Sequence, residues 1–159
     1  MNIFILDIDP IISAQSLLDK HVVKMPLESA QMLCSVFNPG TAPYKRSYYN
    51  HPCSKWVRNS SGNFDWLVEH GLALCDEYNY RYGKIHKCKN VIEWCRDNIN
   101  GLSDLGLTPF AQAMLDKYKS ENAVESYRAY YIGEKNKLLV YTKRQPPMWL
   151  PIGLAIWKQ

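Results

Sequence analysis

Proline decides where this chain can stay helical, and nine prolines cut its 159 residues into segments of modest length. Pro10 closes Asp7-Ile8-Asp9-Pro10, a turn, because the residue before a proline is biased away from helix. Before it, Asn2-Ile3-Phe4-Ile5-Leu6 reads as a short extended segment. From about residue 12 to 37 the pattern is helical: Leu18, Val22 and Met25, then Met32, Leu33 and Val36, recur every three to four positions. Pro26 lies inside that pattern, so a kink or break is expected there. Residues 38–43 are a loop by composition, and Pro52 suits the first turn of a helix carrying Trp56, Val57 and Arg58. Residues 60–63 interrupt, and 64–82 form a long helix that Gly83 stops. A shorter helix near 90–98, a loop over 101–109 and a helix beginning at 120–123 follow. Pro146 and Pro147 exclude regular helix from the tail. The expectation is a mainly α fold: one compact domain over 1–159, with long loops and a short extended N-terminal segment.

Composition narrows the classes. Apolar residues make up 47% and charged residues 21%, close to an ordinary globular chain. The longest apolar runs, such as Ile3-Phe4-Ile5-Leu6, fall far short of the ~20 residues a membrane span needs. The N-terminus has no basic region ahead of its apolar stretch, so no signal peptide is expected, and the cytosol is the expected compartment. Five cysteines, at 34, 53, 75, 88 and 95, are an odd set without CxxC spacing, which argues against a disulfide framework. Cys88 and Cys95, with His86 nearby, fall short of a four-ligand zinc set. Neither a metal nor a cofactor is expected.

The aromatic content is unusual: 13%, with eleven Tyr and five Trp. Many rings sit among cations, as in Tyr44-Lys45-Arg46-Ser47-Tyr48-Tyr49, which suits stacking on bases while phosphates are neutralised. Tyrosines on amphipathic helix faces would look the same. A net charge of +4 is compatible with nucleic acid without being a strongly basic signature.

Three clusters could carry chemistry. In Leu18-Asp19-Lys20-His21-Val22-Val23-Lys24-Met25-Pro26-Leu27-Glu28, helical spacing puts His21, Lys24 and Glu28 on one face. That face offers a base, an amine and a carboxylate to a pocket, and a solvated Lys24–Glu28 pair accounts for the same spacing. In His51-Pro52-Cys53-Ser54-Lys55-Trp56-Val57-Arg58, a helix start behind Pro52 could offer backbone N–H groups to a phosphate, with Arg46, Lys55 and Arg58 adding charge. A capped helix with surface charges is the alternative. In Lys143-Arg144-Gln145-Pro146-Pro147-Met148-Trp149, a basic pair precedes a stiff turn and a Trp, which fits phosphate contact and stacking, or a tail that Trp149 pins to the core.

Together these segments resemble the phage-type pyrimidine-dimer DNA glycosylase/AP lyase family, small helical base-excision enzymes. Leu17-Leu18-Asp19-Lys20-His21, followed seven residues after the histidine by Glu28, is similar to that family's Leu-x-Asp-x-His and its glutamate. His51 with Lys55, the aromatic helix over 64–82 and the basic, proline and tryptophan tail also resemble it. The resemblance implies that a terminal amine attacks C1′ of the damaged nucleotide, expels the base and leaves a covalent imine. An α-amine suits this because its pKa of roughly 7.7–8 leaves a useful neutral fraction near pH 7.

Carried over, Glu28 is the central carboxylate and His21 positions it or the DNA. Arg46, Lys55, Arg58 and Lys143 become phosphate contacts, and Tyr48, Tyr49 or Trp149 hold a flipped base. The family's nucleophile is a small residue exposed after Met removal. Here Asn2 is a poor substrate for that removal, which leaves the amine of Met1, or Lys24, as the nucleophile. The family's arginine beside its glutamate has no counterpart in Pro26-Leu27-Glu28. The implied substrate is duplex DNA, with a nucleotide ligand in the alternative that this is a repurposed or non-catalytic binding protein of phage origin.

Overall fold

The computed structural model describes residues 1–159. Six α-helices dominate it: α1 (Pro10–Ser16), α2 (Asp19–Cys34), α3 (Pro52–Asn59), α4 (Ser61–Tyr82), α5 (Lys89–Asn98) and α6 (Ala123–Glu134). Two short strands, β1 (Val140–Thr142) and β2 (Ile156–Lys158), pair in parallel with Val140 opposite Ile156. No helix is long and apolar enough to cross a membrane.

α4 is the central element and packs against α1, α2, α3 and α5. Its buried face carries Phe64, Leu67, Gly71, Leu74 and Cys75, a helical repeat that presents one apolar stripe. Gly71 lets α5 approach closely, since a Cβ there would meet Ile92 at 2.9 Å. Ser60 both ends α3 and caps α4, its side chain accepting from the Asn63 N–H, so the expected four-residue interruption contracts to one residue. Gly83 ends α4 at φ +67°, as a left-handed helix stop should.

The amino-terminal segment is extended and wholly interior. Ile3, Phe4, Ile5 and Leu6 are all core residues, threaded between the helices rather than lying on them. Phe4 adopts φ +61°, a strained value for an aromatic residue.

Of the kink or break expected at Pro26, a break does not occur. α2 runs through Pro26, and the chain instead breaks between α1 and α2, where Leu17 and Leu18 are extended and fully buried. Proline removes one hydrogen bond, but the flanking turns are held by burial of Val22, Met25, Ala30 and Leu33 in the core. The break is fixed by Asp19, whose carboxylate takes the Thr142 N–H at 2.9 Å, the Thr142 hydroxyl at 2.6 Å and Arg81 at 2.9 Å. Arg81 is fully buried and also donates to Glu77 at 2.8 Å and to the Gln15 carbonyl at 3.1 Å. Asp19 thus joins the start of α2 to α4 and to β1.

Candidate active site

Glu28 sits on α2 with only 7% of its surface exposed. A buried carboxylate needs donors, and the chain's beginning supplies them. The backbone N–H of Asn2 donates to Glu28 Oε2 at 2.9 Å, and the Met1 amine lies 3.8 Å from the same oxygen. On the other oxygen, Lys24 Nζ stands 3.2 Å from Oε1, one helical turn before Glu28. The carboxylate thus has the amino terminus on one side and the mostly solvent-exposed Lys24 ammonium on the other. The extended run Ile3-Phe4-Ile5-Leu6 enters the core beside α2, and this brings the two ends of the arrangement together.

His21, about two turns before Glu28 on the same helix, is buried and stacks on Phe4 with ring centroids 4.2 Å apart. Its Nδ1 lies 2.6 Å from the Tyr131 hydroxyl, whose oxygen also receives the Leu18 N–H at 3.4 Å. Burial, reinforced by the charges of Lys135 and Lys24, pushes its pKa down to about 3. At neutral pH His21 is therefore uncharged. It braces Phe4, and through it the amino-terminal segment.

His51 precedes α3 and caps it, Nδ1 accepting from the Cys53 N–H at 3.1 Å. The helix start behind Pro52 is therefore partly satisfied from within. Desolvation lowers the pKa of His51, the nearby Met1 amine lowers it further, and Glu28 opposes both. The structure thus brings Met1, Glu28, Lys24 and His51 into one neighbourhood, with His21 behind them. Cys53, beneath His51, is pushed up to about 12 by burial and stays a thiol.

Arg46, Tyr48, Tyr49, Lys55 and Arg58 form a rim leading to His51. The guanidinium groups of Arg46 and Arg58 lie 4.3 Å and 3.8 Å from the centre of the Tyr49 ring. Each donates to one backbone carbonyl, Arg46 to Phe37 and Arg58 to Tyr49, which orients it and leaves its other N–H donors for a ligand. Tyr48 is 64% exposed at φ +48°, and Lys55 is exposed on α3.

The tail residues part company. Lys143 is exposed, whereas Arg144 turns inward and pairs with buried Glu77 through two bonds of 2.9 Å and 2.8 Å. Trp149 packs edge-on against Tyr131, its indole nitrogen buried without a partner. No group of three His, Cys, Asp or Glu side chains is placed to hold a metal ion.

Sequence reasoning missed Asn2 as a structural part of the site, and it missed Tyr127, Tyr131, Phe4 and Lys135. The four-residue spacing of Tyr127 and Tyr131 marks one buried helix face, but nothing in a linear pattern says that this face meets residues 2 and 21.

Fold and site together define a small helical protein in which the start of the chain is held against a buried glutamate behind a rim of cations and tyrosines. Residues 1–90, more than half of the chain, match the family described as pyrimidine dimer DNA glycosylase, and the protein belongs to that family. Membership indicates a DNA glycosylase, with DNA as its substrate. No curated protein and no solved structure matches the chain.

Proposed function

We propose that this protein is a base-excision enzyme whose nucleophile is the amine of Met1 and whose central carboxylate is Glu28, with an AP-lyase step following base loss. One observation carries the reading: that amine stands 3.8 Å from the buried Glu28 carboxylate. The amine's lone pair attacks C1′, the C1′–N bond breaks, and the base leaves with that bond's electrons and takes up a proton. The attached nitrogen loses a proton, its lone pair then breaks the C1′–O4′ bond, and O4′ takes up a proton, which leaves a protonated imine to the opened sugar. Glu28 offsets the positive charge that builds on the sugar and then accepts and returns protons. Abstraction of a C2′ proton expels the 3′-phosphate, which is the lyase step.

Lys24 keeps Oε1 oriented and adds positive charge for the DNA backbone. His21, neutral, holds the amino-terminal segment through Phe4. Arg46, Lys55, Arg58 and Lys143 contact phosphates, Tyr48 offers its ring to an unstacked base, and Tyr49, its ring covered by two guanidinium groups, holds Arg46 and Arg58 in place. Arg144, occupied by Glu77, and Trp149, packed on Tyr131, serve this surface by holding the tail in place.

The test is strand scission of a UV-irradiated duplex by wild type and by Glu28→Gln, with affinity for that duplex measured in parallel. Scission should fall by at least about a hundredfold, the scale of a lost acid–base group, with affinity nearly unchanged. A Glu28→Gln variant that cuts at the wild-type rate would remove Glu28 from the chemistry.

A further inference from the structure

Chain ends fray unless something ties them down, and a nucleophile on a fraying end spends little time near its target. Here the tie is the side chain of Asn2, which is 9% exposed. Its Nδ2 donates to the Ala113 carbonyl at 2.8 Å. Its Oδ1 accepts from the Ile3 N–H at 2.8 Å and shares the single proton of the Tyr127 hydroxyl with the Ala111 carbonyl, that hydroxyl lying 2.9 Å from each. That hydroxyl, on a fully buried ring, in turn accepts from the Ala113 N–H at 3.2 Å. The backbone N–H of the same residue is the one that bonds Glu28. Residue 2 therefore joins α2, the segment around Ala113 and α6, and the amine begins one peptide unit away.

We infer that Asn2 and Tyr127 form a clamp that aims the terminal amine at Glu28, so both are positioning residues for the reaction. The inference rests on the amine being the nucleophile. Asparagine suits the position because one short side chain supplies an acceptor and a donor together. Aspartate would lose the bond to Ala113 and bring a second carboxylate to Glu28, and leucine would fill the space with no bonds at all. Ala113 and Tyr127 lie beyond residue 90, outside the family match, so the remainder of the chain completes the site rather than decorating it.

The test uses Tyr127→Phe, which removes one hydroxyl, and Asn2→Leu, which is as bulky as asparagine at the second position. Single-turnover borohydride trapping on an abasic-site duplex is measured with affinity for that duplex and melting temperature. The clamp predicts trapping slower by at least about tenfold in each variant and affinity within about twofold of wild type, because misplacement by about 1 Å costs rate and not binding. A second arm follows the release of Met1 by a broad-specificity aminopeptidase, which should be faster in Tyr127→Phe than in wild type. Wild-type trapping rates in both variants would overturn the clamp, as would equal losses of rate and affinity that track a lowered melting temperature. If wild type forms no adduct, the amine loses its role as nucleophile. The clamp is then judged by the aminopeptidase arm, where release from Tyr127→Phe at the wild-type rate overturns it.

Discussion

His21 shares a helix face with Lys24 and Glu28, yet burial against Phe4 and Tyr131 keeps its ring neutral down to about pH 3. His70, stacked on Trp66 and bonded to the Pro10 carbonyl, is held down to about 4 by burial as well. An unfolded chain protonates both near pH 6.5. Between those values the unfolded state binds protons that the folded state refuses, so stability is complete above about pH 6.5 and is lost as pH falls. Each histidine contributes a slope of up to about 1.4 kcal/mol per pH unit in that window. Urea unfolding at pH 7, 6 and 5 should show a shallower decline for His21→Gln than for wild type. Parallel declines would contradict the neutral, buried assignment. Spacing alone could place His21 on the polar face of α2, but its burial comes from Phe4 and Tyr131, which lie 17 residues before it and 110 after it.

Two helix boundaries were the most legible elements. Pro52 opens α3 and Gly83 stops α4, each through local chemistry, whereas α1 begins at Pro10 inside the stretch read as a turn, with Asp9 capping it by accepting from the Ile11 and Ile12 N–H groups. The break at Leu17 and Leu18 was not legible, because it depends on Asp19 reaching Thr142 and Arg81 across the molecule. Nor were β1 and β2, three-residue strands whose pairing spans the whole tail.

The two basic tail residues should separate on mutation. Arg144→Ala strips one of the two cations from buried Glu77 and should cost about 1–3 kcal/mol in unfolding free energy. Lys143→Ala should leave the melting temperature alone and weaken DNA binding evenly across sequences. A stable Arg144→Ala with selectively weakened DNA binding would contradict this division. At the other end of α4, Gly62 and Ser61 receive the 103–106 loop: Ser61 N–H donates to Ser103 at 2.9 Å and Gly62 N–H to Leu105 at 3.1 Å. A Cβ at Gly62 would lie 2.4 Å from the Gly106 carbonyl carbon, and backbone cannot yield cheaply. Gly62→Ala should therefore destabilise by about 1–3 kcal/mol, as overpacking does, and expose the loop to proteases. An unchanged melting temperature would show that the loop is not held there.

For the whole molecule, a mainly helical fold followed from periodicity and proline placement, and the seven-residue offset from His21 to Glu28 pointed to the family. What the sequence withheld was convergence: the amino terminus meets Glu28 only because the segment over 2–6 runs through the core, and Asn2 is held only because α6 returns to it. The basic rim belongs to this scale too. If Arg46, Lys55, Arg58 and Lys143 each meet a phosphate, the logarithm of duplex affinity should fall with the logarithm of salt at a slope of about −3 to −4. Each alanine substitution among them should reduce that slope by about 1. A nearly flat salt dependence would point to a small nucleotide in place of duplex DNA.

The most direct measurement is peptide mapping, by mass spectrometry, of the protein reduced with borohydride on an abasic-site duplex. The predicted result is a sugar–DNA remnant on the amine of Met1 in wild type and none in Glu28→Gln. A remnant on Lys24 or any other lysine, or no adduct with wild type, would contradict an amine aimed by the fold at Glu28.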